Sequence, residues 1–150
     1  VELTLALQPQ PFDPLHHLEG WQRAQADGPR GASAAEAWFI GRVRGHDGRG
    51  EPLEALELEH YPGMTEHCLR SQAEQLGRHH GASALLVQHR VGRVRPGQAI
   101  VLVAVAADRR GPAQRCCQAL LEALKHDAPF WKREWLRSGE SRWVEGNTAF

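Results

Sequence analysis

Residues 82–124 read ASALLVQHRVGRVRPGQAIVLVAVAADRRGPAQRCCQALLEAL, and the fold follows from the change of period inside them. The runs at 82–92 and 98–107 are dense in apolar and β-branched residues, the composition of strands on a buried pleated surface. RVRPG at 93–97 separates them, and its Pro-Gly pair is a turn signal, so the two runs are expected to form a buried hairpin. Past Asp108 the pattern changes. Ala113, Cys116, Cys117, Leu120, Leu121 and Leu124 recur at i, i+3, i+4, i+7, i+8 and i+11, which is one face of a helix. That apolar stripe has to pack on the sheet. Pro129 ends the helix, because its ring clashes with the preceding turn and biases Ala128 away from helical angles.

The same periods organise the rest of the chain. VELTLAL at the start puts Val1, Leu3, Leu5 and Leu7 on one side of a strand. Asp13 is placed to cap a short helix that has Pro14 at its first position, where the missing N–H costs nothing. AEAWFIGRVR (35–44) and LEALELEH (53–60) read as two strands around the mobile loop GHDGRGEP. Between Tyr61 and Gly81, Met64, Cys68, Leu69, Ala73 and Leu76 mark a second helix, which Gly81 can end. RWVE (142–145) reads as a last short strand. Strands and helices mix without a strict βαβ rhythm, so the expected class is α+β.

With 150 residues the chain suits one domain, 1–150, with a real core. The formal charge is zero, so a polyanion-coating protein is disfavoured and any anion site must come from local arginine clusters. The first residues lack the basic head and long apolar run of a signal peptide, and no membrane-spanning stretch is visible. Three cysteines, Cys68, Cys116 and Cys117, have neither metal-type nor disulfide-framework spacing. A reducing, cytoplasmic setting is expected.

The basic residues are sixteen arginines and two lysines, and the lysines, Lys125 and Lys132, flank Pro129. Lys125 falls at the edge of the third helix's apolar stripe, and Pro129 prevents Lys132 from continuing that face, so only a turn could bring the amines together. Guanidinium stays charged in any protein, whereas an ammonium near cations or apolar rings can lose its proton and become nucleophilic. The contrasting possibility is that KREW (132–135) is a solvated surface turn.

Other groupings are weaker. Arg42, Arg44 and Arg49 surround glycines in the composition of an anion-holding loop, although a plain soluble loop has the same look and the Gly-Lys-Ser/Thr ending of a nucleotide loop is missing. Arg109 and Arg110 precede the third helix, whose terminal N–H groups favour anions. The nine histidines lack metal-binding spacing, so no metal is expected. Cys116 and Cys117 lie on an apolar helical face, where thiols are usually packing.

Five segments in order, FIGRVRGHDGRG, LELEHYPGMTEH, QHRVGRVRPGQ, VAVAADRRGPA and LKHDAPFWKRE followed by RWVE, resemble the family of catalytic (large) subunits of molybdopterin synthase. The likeness covers nearly the whole chain. It implies an α/β hammerhead with an additional antiparallel β part and a homodimer. Each end of that dimer binds a small ubiquitin-like sulfur-carrier subunit, giving a heterotetramer. The carrier's C-terminal Gly-Gly thiocarboxylate delivers sulfur twice to cyclic pyranopterin monophosphate, with no cofactor of the enzyme's own.

The family pattern places Arg42, Val43, Arg44, Lys132, Arg133 and Glu134 around the substrate, and Lys125 as the second active-site lysine. Lys125 and Lys132 are the implied catalytic pair, and Arg44 the phosphate holder. The family usually has His-Arg where this chain has Arg109-Arg110, so a titratable imidazole becomes a permanent cation. The alternatives are a carrier-binding scaffold with reduced catalysis, or a nucleic-acid-binding module in which arginines and the rings of Trp131 and Trp135 contact a strand.

Overall fold

The computed structural model describes residues 1–144. Its elements are β1 (Glu2–Gln8), α1 (Pro14–Ala26), β2 (Ala35–Arg42), β3 (Leu53–Glu59), α2 (Met64–His80), β4 (Ala84–Arg90), β5 (Gly92–Val94), β6 (Ala99–Ala107), α3 (Arg110–His126), β7 (Trp131–Leu136) and β8 (Ser141–Trp143). The class is α+β, as the periodicities imply.

Two four-stranded sheets carry the molecule, ordered β1-β4-β6-β2 and β5-β3-β7-β8. β4 and β6 are the inner strands of the first sheet and pair antiparallel, which is the hairpin expected from their apolar runs. They are covered on both faces, so they read as continuous hydrophobic stretches rather than alternating ones. Leu85, Val87, Val101, Val103 and Val105 face α2 and α3, meeting Leu69, Ala73, Cys116, Leu120 and Leu124. Leu86, Leu102, Ala104 and Ala106 face the other way, onto Leu18 and Trp21 of α1. β1 joins the edge in parallel with β4.

Helix ends follow local chemistry. Asp13 caps α1 by accepting from Leu15 N–H at 3.0 Å. Gly81 closes α2 in the left-handed region at φ 73°, a conformation that glycine adopts without a Cβ clash. Gly77 lets α2 sit close on the sheet, since a Cβ there would come 2.9 Å from Leu85 Cδ1.

The two strands expected around the glycine loop are present as β2 and β3, and they lie in different sheets. Two expectations change. The 93–97 connection is more than a turn, because Gly92–Val94 forms β5 and pairs with β3. KREW is not a surface turn but part of β7, in the middle of the second sheet. Of the expected last strand, Arg142 and Trp143 lie in β8, Val144 follows it, and Glu145 lies outside the described residues. Phe130 and Ile100 pack against both the main core and the small core of Val43, Leu58 and Val94, joining the two sheets.

Candidate functional site

α3 delivers Lys125 in its last turn, where a cation complements the exposed helix carbonyls. Asp127 caps the helix by donating its N–H to Ala123 O at 2.8 Å, and Phe130 N–H donates to Ala128 O at 2.8 Å. That tight turn around Pro129 reverses the chain into β7. Lys125 and Lys132 thereby line one cavity of about 240 Å³, walled by Phe130, Trp131, Trp143 and Val144. Burial, reinforced by the charge of Lys125, holds the Lys132 amine below the ordinary lysine range. The cavity can hold an anion between two amines and can also exchange a proton with one of them.

Sequence reasoning did not single out His89. It lies in β4, only 6% exposed, with its ring stacked on Phe130 at 4.4 Å and 18°. Its Nδ1 is 2.7 Å from the Arg90 carbonyl. Burial drives its pKa down to about 4 against the pull of that hydrogen bond, and the charges of Lys132 and Lys125 push the same way. The available signal was a histidine just past the apolar run Ala84–Val87, in a strand whose every residue is buried.

The remaining expected site residues fall in several places. Arg42 and Arg44 are exposed on either side of Val43. Val43 itself is a core residue at 7% exposure, with its N–H donating to Gln98 O and its carbonyl accepting from Gly97 N–H. Its part is to fix the backbone from which the two arginines project. Arg133 lies over Trp135 and Trp143, at 4.5 and 5.3 Å from the ring centroids, and donates from Nε to Ser141 Oγ at 3.0 Å. Successive residues of a strand point to opposite faces, so Arg133 and Lys132 leave β7 on opposite sides. Glu134 pairs across the ladder with Arg142.

Arg109 is the N-cap of α3 and Arg110 its first residue, both exposed. Lys125 is fifteen residues further along the helix, about 22 Å away at ~1.5 Å per residue. Within one chain, these arginines and the lysine cavity lie at opposite ends of α3.

The glycine loop holds its own anion. Asp47 Oδ1 accepts from the N–H groups of Arg49 and Glu51 at 2.9 and 2.8 Å, and Oδ2 accepts from Arg142 at 2.7 Å. Burial opposes ionisation of Asp47, yet those N–H groups and the charges of Arg142 and Arg49 hold its carboxyl below the usual range. Two backbone donors that an external anion would need are therefore occupied, and the loop is tied to β8.

Other features narrow the chemistry. Burial raises both Cys116 and Cys117 to about 11, in the first case with the neighbouring thiol adding to the effect, so neither offers a ready thiolate. Among the described residues no group of three or more His, Cys, Asp or Glu is arranged to hold a metal. No helix among them is long and apolar enough to cross a membrane. Trp135 is not an open stacking ring, because Arg93 and Arg133 lie over it and its indole donates to Glu57 at 3.2 Å. A second cavity of about 350 Å³, lined by Glu59, His60, Tyr61, Trp131 and Trp143, shares its two tryptophans with the lysine cavity.

Comparison with known proteins gives a consistent family. The model described as MoaE protein matches residues 7–127. The molybdopterin synthase catalytic subunit of Ralstonia nicotianae is 45% identical over 116 residues, covering 77% of this chain and 64% of that protein. The protein of the same name from Cereibacter sphaeroides is 42% identical, covering 98% of this chain and 94% of its own length. Among solved structures, molybdopterin cofactor biosynthesis protein E from Burkholderia multivorans is 38% identical with a TM-score of 0.76, covering 99% of this chain and 91% of that one.

Proposed function

Because the chain belongs to the MoaE protein family, we propose that it is the catalytic subunit of a molybdopterin synthase, acting in the cytoplasm as one domain over residues 1–150. The lysine cavity is then the place where sulfur passes from a carrier's C-terminal thiocarboxylate to cyclic pyranopterin monophosphate. The observation that carries this reading is the convergence of the chain's two lysines on one cavity, from two elements that a proline turn reverses.

The chemistry asks little of the protein's own nucleophiles. The thiocarboxylate sulfur forms the new C–S bond on a carbon of the pterin side chain as a C–O bond at that carbon breaks, the oxygen leaving with the opened phosphate or as water. Water then takes the place of sulfur on the carrier's terminal carbonyl, leaving a carboxylate. Two such transfers, from two carriers, supply both sulfurs of the dithiolene, and neither changes an oxidation state. The protein has to hold two anions close together, exclude competing water and manage protons. Lys125, emerging at a helix C-terminus, suits the carrier's terminal carbonyl and the substrate. Lys132, with its depressed amine, suits proton exchange as the cyclic phosphate opens. In this reading Arg44 holds phosphate, Arg42 lines the substrate beside it, and Glu134 orients its basic neighbours.

A second copy gives Arg109 and Arg110 a role at the same site. β2 is an edge strand with Trp38 and Phe39 exposed at 49% and 37%. If two β2 strands pair antiparallel about that aromatic pair, the Ala35 end of one meets the Arg42 end of the other. Ala35 pairs with Ala107, three residues before Arg110, so the neighbour's arginines approach Arg42 and Arg44. This fits a homodimer that binds one carrier subunit at each end. The test is reconstitution: the purified chain, a thiocarboxylated carrier and cyclic pyranopterin monophosphate should yield molybdopterin, and carrier binding without product would favour the scaffold alternative.

A further inference from the structure

Arg90 ends β4 and is only 2% exposed, yet among the described residues no carboxylate pairs with it. Its Nη2 donates to the Arg93 carbonyl at 2.9 Å and its Nη1 to Gln98 Oε1 at 3.3 Å, while its Nε is buried without a partner. A guanidinium keeps its charge in any protein, and burying one against neutral acceptors costs more than burying an apolar side chain of the same length. Stability alone therefore does not select arginine here. What arginine adds is a rigid fork that reaches two acceptors at once.

Those acceptors lead to the Arg42–Arg44 segment. Arg93 lies in β5 of the second sheet, whereas β4 belongs to the first. Gln98 Oε1 also accepts from Arg95 N–H at 3.0 Å, and Gln98 N–H donates to Arg95 O at 3.1 Å, so Gln98 closes the Pro-Gly turn with its side chain and its backbone. The turn in turn grips Val43: Gly97 N–H donates to the Val43 carbonyl at 2.9 Å, and Val43 N–H donates to the Gln98 carbonyl at 3.1 Å. The β2 ladder loses its register between Gly41 and Arg42, so past that irregularity these two bonds hold the backbone on which Arg42 and Arg44 stand.

We propose that Arg90 is a positioning residue for phosphate binding: by tying β5 and Gln98 together it fixes the 93–98 turn, and through the turn's two bonds to Val43 it sets where Arg42 and Arg44 meet the substrate. Arg90 itself is too buried to touch the substrate. This role rests on reading Arg44 as the phosphate holder and Arg42 as its neighbour at the substrate.

Arg90→Met keeps the length of the side chain and removes the fork. In the free chain it should speed hydrogen exchange at the Val43 and Gly97 amides by about tenfold or more, with the inner amides of β4 and β6 as protected as in wild type. Unchanged exchange at both turn-linked amides would overturn the proposal. In the reconstituted synthase the same variant should raise KM for cyclic pyranopterin monophosphate about fivefold or more, with kcat within about twofold and carrier affinity unchanged. Faster exchange with an unchanged KM would overturn the positioning role. No product from the wild-type chain would overturn the reading of the site and the phosphate role with it, while the exchange result would still decide whether Arg90 holds Val43. If the Met variant does not fold, the half-buried Gln98 takes its place. Gln98→Ala should speed the same two amides, and Gln98→Glu, which keeps an acceptor for Arg90 and for Arg95 N–H, should leave them as in wild type. Ala equal to wild type, or Glu equal to Ala, would overturn the proposal.

Discussion

Lys132 owes its depressed amine to burial first and to Lys125 second, so the two lysines are an electrostatic pair and not two independent charges. His89 carries a stability signature of its own. Its folded-state pKa of about 4 lies below the ordinary 6.5, so between those values the unfolded chain binds the proton and the folded chain does not. Stability should therefore fall as pH drops through that window, by about 3 kcal/mol for this group at ~1.4 kcal/mol per unit. Urea unfolding at pH 6.5 and pH 4 measures it: wild type should lose more stability than His89→Gln, and equal losses would mean that the imidazole is not held neutral. The thiols behave differently, since burial that raises a pKa removes reactivity. Their place on the apolar stripe of α3 was legible in the sequence, whereas His89 was not. A polar residue in a buried strand looks locally like an interruption, and its partners come from α3 and β7, far away in the chain.

At the scale of elements, the loop between β2 and β3 is a fastened structure. Asp47 gathers two loop N–H groups and one guanidinium of β8. Asp47→Ala should speed hydrogen exchange at the Arg49 and Glu51 amides by tenfold or more while leaving β4 and β6 amides protected; unchanged exchange at both loop amides would mean that the carboxylate does not hold the loop. Composition revealed a glycine-rich loop with arginines but not that an internal acid occupies its donors. The helices and the β4–β6 hairpin could be read from periods of 3.6 and 2, because each period reports a face buried locally. β7 could not. WKREWL has charged residues on both faces: Arg133 is covered by tryptophan rings and Lys132 by the cavity, which leaves no alternation of apolar and polar residues. Sheet membership of β2, β3 and β5 was equally hidden, since register is decided by pairing across the fold and not by neighbours in sequence.

At the scale of the whole molecule, α3 is a spacer with arginines at one end and a lysine at the other, about 22 Å apart at ~1.5 Å per residue. If a site uses both ends, two chains must build it. Mixing inactive Lys125→Ala and Arg110→Ala chains, with subunit exchange, should then recover up to about half of the wild-type activity per Lys-competent site, and no recovery would place both groups in separate tasks. In the proposed reaction the lysine cavity performs sulfur transfer without a protein thiol. It is tested most directly by molybdopterin formation from thiocarboxylated carrier and cyclic pyranopterin monophosphate, comparing wild type, Lys125→Ala and the Cys116→Ala/Cys117→Ala double variant, each verified as folded. The lysine variant should lose a hundredfold or more, and the cysteine variant should retain turnover. Full activity without Lys125, or loss of activity in a well-folded chain without the two thiols, would contradict it.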